Sequence, residues 1–249
     1  MAELRRLLMA PERLAQAGDQ PLQLEPQERH YLERVLRLRI GSAFAVADGC
    51  GRLYEATLLD QGLVQLKLSS RQSEPASPQL VLLLGLTRKD VDITLRMATE
   101  LGVDQIVPMQ AERSQPSPGG QRRERWSAQL REASEQCERL WIPQLMSLRS
   151  SNEALSQPPI KRGSRWIGVT RQHGAPLLQE VLKQTPLDSS RWEIACGPEG
   201  GWSPRELEIA SLNNWQPVSL GPTVLRASTA AVAALSLLQH YRARRTQKL

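Results

Sequence analysis

The sequence predicts an α/β protein with a mostly parallel sheet, preceded by a smaller β-rich domain. Two observations carry this. From Leu80 onward, short apolar runs alternate with amphipathic helical stretches, the pattern of a parallel sheet with helices on both faces. Before Leu80, short strand-like runs meet at a turn rich in glycine. Ser69 to Gln79, polar and with two prolines, reads as a linker between the regions. The domains therefore read as residues 1–75 and 76–249, and 249 residues are enough for two cores.

In the first region, Pro26 to Leu38 predicts a helix with Tyr31, Leu32, Val35 and Leu36 on one apolar stripe. It is locally basic, with Arg29, His30, Arg34, Arg37 and Arg39 set against Glu28 and Glu33. Ser42 to Ala47 predicts a strand, and Asp48-Gly49-Cys50-Gly51 a hairpin turn. Arg52 to Leu59 and Leu63 to Leu68 predict two further strands.

In the second region, Leu80 to Gly85 is a continuous apolar run, as in a strand buried on both faces. Asp90 to Leu101 predicts a helix ended by Gly102. Ile106 to Met109 predicts a strand, and Arg122 to Arg139 a long amphipathic helix. Leu145 to Leu148 and Arg165 to Thr170 predict strands, and Pro176 to Gln184 a helix. Trp192 to Cys196 reads as a buried strand and Val218 to Leu220 as another. The final helix, Ser228 to Arg242, is apolar almost all round, which suits burial on two sides.

Two connections stand out. Gly197-Pro198-Glu199-Gly200-Gly201 follows a strand, and Ser203-Pro204-Arg205-Glu206 then reads as a capping box with Pro at the first helical position. Leu220-Gly221-Pro222 repeats the arrangement of strand, Gly-Pro turn and helix. Loops of this kind leave free backbone N–H groups where open α/β sheets bind ligands. A phosphate loop of the G-x-x-x-x-G-K-[ST] type is absent, and so is a G-x-G-x-x-G after the first long strand. A nucleotide-like cofactor is therefore expected late in the chain.

Charge and cysteines narrow the class. The net charge is +6, and all of it falls in residues 76–249, where 22 Lys/Arg stand against 16 Asp/Glu; residues 1–75 hold ten of each. Arg242, Arg244, Arg245 and Lys248 form a basic tail. This balance is compatible with an RNA partner or with a tail that only aids solubility. No apolar run nears the roughly 20 residues that span a bilayer, and the N-terminus does not read as a signal peptide. Cys50, Cys137 and Cys196 are odd in number and scattered. With three scattered histidines they predict no metal site, and they fit a reducing, cytoplasmic location.

GPEGGWSPREL followed by LGPTVLRASTAA (Gly197 to Leu207 and Leu220 to Ala231) resembles the C-terminal signature of the SPOUT methyltransferases, and within them the RsmE family. Glu100-Leu-Gly-Val-Asp-Gln-Ile-Val-Pro108 with Glu112-Arg113-Ser114, and Glu135-Gln-Cys-Glu-Arg139 with Pro143, resemble that family's internal motifs. His30 to Gly41, followed by Asp48-Gly49, resembles its N-terminal PUA-like RNA-binding domain. The likeness runs from about Arg6 to about His240.

The resemblance implies a SPOUT trefoil-knotted sheet preceded by a small PUA-like β-barrel. It implies a homodimer with the last helix in the interface. The implied reaction is methylation of N3 of a uridine in 16S ribosomal RNA with S-adenosylmethionine. Thr170, Gly197, Pro198, Glu199, Gly200, Gly201, Leu220, Gly221, Val224, Leu225 and Arg226 would hold the cofactor. Arg226 and Glu199 are the catalytic candidates: Arg226 as donor to a uracil oxygen, Glu199 as base or, in the favoured reading, as a residue that fixes its loop. Arg6, His30, Arg34, Arg37, Arg113 and Arg139 would contact RNA. Two positions depart from the family's pattern. Met97 stands where Lys is usual, and Ser228 where an acidic residue is usual, with Ser228 still able to cap the last helix. A weakly active or inactive RNA-binding assembly factor, and an enzyme of this fold with another RNA target, remain the alternatives.

Overall fold

The computed structural model describes residues 5–18, 20–114, 122–170, 172, 174–186 and 188–246. The chain forms two compact units: Met1–Pro75 with Ser134–Ile142, and Ala76–Ala133 with Pro143–Leu249.

The first unit holds a five-stranded sheet in the order β1 (Arg6–Leu8), β3 (Ala43–Ala47), β4 (Arg52–Leu58), β5 (Leu63–Gln72), β2 (Leu22–Gln23). β1 pairs with β3 in parallel, and the other pairs are antiparallel. The β3–β4 turn is closed by Asp48, whose Oδ1 accepts the N–H groups of Cys50 at 2.7 Å and Arg52 at 2.9 Å. Gly49 and Gly51 take φ of 72° and 99° there. Inward-facing Phe44, Val46, Ala56, Leu58, Val64 and Leu66 build the core with Leu7, Met9 and Leu32.

This unit departs from the expected elements in several places, among them the added short strands β1 and β2. The stretch from Pro26 forms α2 (Pro26–His30) and then a wider turn over Tyr31–Val35, in which the Leu36 N–H reaches the Tyr31 carbonyl. Arg37, at φ 55°, ends it. The strand β5 continues to Gln72, so the first residues assigned to a linker are paired with β4. The helix α1 (Pro11–Ala17) has Leu14 as its one buried residue, too little for an apolar period to be read.

Ser134–Ile142 joins this unit through backbone contacts. The Leu8 N–H donates to Glu135 Oε1 at 2.7 Å, Gly51 N–H to the Leu140 carbonyl at 2.9 Å, and Ile142 N–H to the Gly49 carbonyl at 3.0 Å. The helix α4 (Arg122–Gln136) stops short of Arg139, where Glu138 turns to φ 61°.

The second unit is built on one parallel sheet in the order β12 (Gln216–Val218), β10 (Gly163–Gly168), β11 (Arg191–Cys196), β6 (Gln79–Gly85), β7 (Gln105–Gln110), β8 (Gln144–Leu145). β9 (Arg149–Ser150) also pairs with β7, so in place of the expected strand Leu145 to Leu148 there are two short strands, one ending at Leu145 and the other starting at Arg149. Between β9 and β10 lies α5 (Ser151–Leu155), capped by Ser150 and Glu153. That S-x-x-E spacing is present in the sequence and marks the helix start.

Successive residues of each strand point to opposite faces. Val81, Leu83, Val107, Met109 and Ile167 face one side with Ala154 and Leu155 of α5 and Ala210 of α7 (Pro204–Leu212). The alternate residues Leu80, Leu82 and Leu84 are buried on the other. The long helix α8 (Ala227–Thr246) packs against β6, β11, α3 (Val91–Glu100) and α6 (Leu178–Gln184). Arg242, counted by sequence with the basic tail, is an internal residue. It is 5% exposed, pairs with Asp104 and donates to the Gly102 carbonyl at 2.6 Å. Lys248 lies outside the described residues. Among the described residues, no helix is long and apolar enough to cross a membrane.

A buried polar network crosses the amino ends of the strands. Glu193 accepts Arg165 Nε at 2.5 Å and Arg191 Nε at 2.8 Å. Arg165 also donates to the Gln157 and Pro158 carbonyls and lies 4.9 Å from the centre of the Trp215 ring. Removing the shared carboxylate leaves two guanidinium groups without it, one of them deeply buried. Glu193→Ala is therefore expected to destabilise the protein by about 3–5 kcal/mol. Denaturant unfolding checks this; a loss below about 1 kcal/mol would contradict it.

Candidate active site

The Gly197–Gly201 loop leaves β11 at its carboxyl end and runs into α7. The capping box read from the sequence is formed. Ser203 Oγ accepts the Glu206 N–H at 3.1 Å, and the Ser203 N–H donates to Glu206 Oε2 at 2.7 Å. Glu206 is fully buried, and its Oε1 accepts the Glu112 N–H at 3.0 Å, which ties the helix start to the turn after β7. Glu112 has its carboxyl lowered below the usual range, first by the Ser203 hydroxyl and then, against some desolvation, by the Asn152 amide.

Packing explains the glycines. A Cβ on Gly197 would stand 3.0 Å from the Trp202 ring, and one on Gly200 would stand 2.8 Å from the Arg113 carbonyl oxygen. Trp202 is anchored in turn, its Nε1 donating to the Gly168 carbonyl at 2.9 Å. From the other side Gly85, the last residue of β6, lies so close that a Cβ there would be 2.7 Å from Pro198 N.

The second connection starts earlier than the sequence indicates. β12 ends at Val218, two residues short, because only Gln216–Val218 pair with β10. Ser219 to Arg226 then forms the passage to α8, with Gly221 at φ 140°. Ser228 is the second residue of α8 and does not cap it; its hydroxyl donates to Asp90 Oδ2 at 3.2 Å.

These pieces enclose a cleft of about 950 Å³ at the carboxyl ends of β10, β11 and β12. Thr170, Gly197, Pro198, Glu199, Gly200, Gly201, Leu220, Gly221, Val224, Leu225 and Arg226 all line it. The sequence did not single out Gly168, Val169, Gln172, Trp202, Leu207 and Ala230, which also line it. Of these, Trp202 was readable, since it sits inside the Gly-rich motif. The volume suits a nucleoside-sized ligand, and the position is where parallel sheets bind one.

Comparison with known proteins agrees with this geometry. The family model for the RNA methyltransferase domain matches residues 74–239. The ribosomal RNA small subunit methyltransferase E of Synechocystis sp. is 35% identical over 234 residues, which cover 93% of this chain and 76% of that one. The chain belongs to the RNA methyltransferase family. The ribosomal RNA small subunit methyltransferase E of Rickettsia conorii is 29% identical, covering 83% of this chain and 84% of its own. The crystal structure of the Neisseria gonorrhoeae ribosomal RNA small subunit methyltransferase E bound to S-adenosyl methionine superposes with a TM-score of 0.82 at 28% identity, covering 96% of this chain and 98% of that one.

The side chains of this RNA methyltransferase cleft divide by chemistry. Arg226 is exposed at its rim and has no side-chain partner among the described residues. Glu199 is exposed, and its Oε1 accepts the Arg88 N–H at 3.2 Å. Arg113 also lines the cleft and donates to the Gly200 carbonyl at 3.4 Å. Cys196 lies in the wall, where burial pushes its thiol up to about 12. It therefore stays protonated at neutral pH and offers no thiolate nucleophile. No group of three or more His, Cys, Asp or Glu able to hold a metal occurs among the described residues.

The remaining candidates lie in the first unit. His30, Arg34 and Arg37 are exposed there, and none has a side-chain partner among the described residues. Arg6 is drawn inward, paired with Glu138 at 2.8 Å. Arg139 is half-buried in the segment that follows α4, its N–H bonded to the Ser134 carbonyl at 2.9 Å.

Proposed function

We propose that the chain transfers a methyl group from S-adenosylmethionine to N3 of a uridine in small-subunit ribosomal RNA. In this reading the Gly197–Gly201 and Leu220–Gly221 loops hold the cofactor and Arg226 faces the base. The observation that carries it is the cleft, where two Gly-rich connections on either side of β10 enclose about 950 Å³.

The residues fit this cofactor. Gly221 stands at φ 140° with nothing within 4 Å of where a Cβ would be, so its backbone is open to a flat ring or a ribose. Trp202, Leu207 and Leu225 add apolar wall, and Thr170 and Gln172 add exposed hydrogen-bonding groups. Bound there, the cofactor supplies a methyl group activated by a sulfonium.

The chain must then manage the acceptor. Uracil N3 carries a proton, and its loss leaves negative charge spread onto the flanking carbonyl oxygens. The Arg226 guanidinium, unpaired at the rim among the described residues, donates to such an oxygen and favours the anionic base. The proton passes from N3 to solvent. Glu199 serves the loop, its carboxylate engaged by the Arg88 N–H. Glu199→Gln is thus expected to keep kcat within about tenfold, short of the roughly 10²–10⁴-fold loss that removal of a general base brings. A larger loss, together with disappearance of the acidic limb of the pH–rate profile, would make Glu199 the base.

The same reading makes the second unit a trefoil-knotted SPOUT sheet and the first a PUA-like RNA-binding β-barrel. The path of α8 supports the knot, since the chain returns from the edge strand β12 to lie on β11 and β6. The exposed His30, Arg34 and Arg37 support an RNA-facing first unit. A homodimer through α8 is supported by Val232, Ala233 and Leu237, apolar and only half-buried in one copy. Light scattering is expected to give twice the 27.9 kDa of one chain. The enzyme works in the cytoplasm, with the small subunit or its RNA as partner. Incubation with S-adenosylmethionine and small-subunit RNA, followed by nucleoside mass spectrometry, tests the reaction: 3-methyluridine is the expected product, and a methylated ribose or cytosine would contradict the assignment of N3.

A further inference from the structure

Beside the cleft lies a turn, Leu86–Asp90, between β6 and α3. It is fixed at both ends. The Arg88 N–H donates to Glu199 Oε1 at 3.2 Å, Asp90 Oδ2 accepts the Ser228 hydroxyl at 3.2 Å, and the Leu86 carbonyl accepts Ser114 Oγ at 3.0 Å. Leu86 and Thr87 are buried. Arg88 and Lys89 are exposed, and neither side chain has a hydrogen bond or ion pair among the described residues.

The neighbouring acids form no ion pair with either side chain among the described residues. Glu199 is engaged by the Arg88 N–H and Asp90 by Ser228, while Asp92 pairs with Arg125. Glu112 faces Ser203, Asn152, Arg205 and Arg113. Arg113 and Arg226, both exposed, line the adjoining cleft. A turn pinned by three side-chain hydrogen bonds therefore holds two unpaired cations, among the described residues, beside two more at the cleft rim. Such a cluster attracts an extended anion.

We infer that Arg88 and Lys89 hold backbone phosphates of the RNA strand next to the target nucleotide. They form a contact site outside the cofactor cleft. Phosphate contacts set the register of the strand and carry no sequence information. Arg226 then meets a base whose flanking backbone is already placed. This inference rests on the reading of the cleft as the methyl-transfer site.

The test is the salt dependence of binding to a protein-free fragment of small-subunit ribosomal RNA that contains the methylated uridine. Each phosphate neutralised by the protein adds roughly 0.7–0.9 to the slope of log K against log salt. In the variant Arg88→Gln with Lys89→Gln, that slope is expected to become shallower by about 1.5. KM for RNA rises, while kcat at saturating RNA and the Kd for S-adenosylmethionine stay at wild-type values. A control, Arg162→Gln with Lys183→Gln, removes equal charge from exposed positions elsewhere on the same unit. It is expected to leave the slope unchanged. An unchanged slope in the first variant, or an equal change in the control, would overturn the inference while leaving the methyl-transfer reading intact. A wild-type protein that binds the RNA but never methylates it would sink that reading, and this one with it.

Discussion

Replacing Arg226 by alanine is expected to lower kcat by about 10²–10³-fold, the range seen when a donor to developing negative charge is removed. The Kd for S-adenosylmethionine is expected to change far less, because the cleft is lined by many residues of the Gly197–Gly201 and Leu220–Leu225 connections besides this one. Arg226 is exposed and has no side-chain partner among the described residues, so the variant should fold as the wild type does. Lysine at this position should recover only part of the rate. It keeps the charge and loses the planar pair of donors. Single-turnover kinetics with calorimetric cofactor titration separate the two effects. Full turnover in Arg226→Ala would remove this residue from the reaction.

The second large effect is expected at Gly85, which lies behind the residues that line the cleft. An alanine Cβ there would lie 2.7 Å from Pro198 N and 2.9 Å from Gly197 C. These are backbone atoms of the Gly197–Gly201 loop, so they cannot swing aside as a side-chain tip does. Overpacking of this kind costs about 1–3 kcal/mol. The strain is relieved most readily by displacing the Gly197–Gly201 loop from β6. Each 1.4 kcal/mol diverted from aligning that loop weakens cofactor binding about tenfold. Gly85→Ala is therefore expected to bind S-adenosylmethionine at least about tenfold more weakly with only modest loss of stability. Calorimetry beside a thermal melt checks it. Wild-type affinity would mean that the loop is not held by this contact.

Much of the second unit was legible because its elements announce themselves locally. Leu80 to Gly85 is apolar throughout, as a strand covered on both faces must be, and Ser203-Pro204-Arg205-Glu206 spells a helix start with its own cap. The residues proposed for the cofactor could be grouped because two similar turns follow two short strands. What escaped the sequence is non-local. Ser134–Ile142 belongs with the first unit through backbone bonds to Gly49 and Gly51, which no periodicity records. Arg242 looked like part of a solvated basic tail, and Asp104, far away in sequence, makes it a buried anchor. The Asp90–Ser228 bond was equally invisible, since each residue reads alone as a helix-start residue. Short elements such as α1 failed for a different reason, having one buried side chain and no pattern to repeat.

In the proposed reaction the Gly197 and Gly221 loops hold S-adenosylmethionine and Arg226 assists transfer of its methyl group to N3 of a uridine in small-subunit ribosomal RNA. The most direct measurement is nucleoside mass spectrometry of that RNA from cells lacking this gene, complemented with the wild type or with Arg226→Ala. 3-Methyluridine is expected to disappear with the gene, return with the wild type, and stay low with the variant. Persistence of 3-methyluridine without the gene, or its full return with Arg226→Ala, would contradict it.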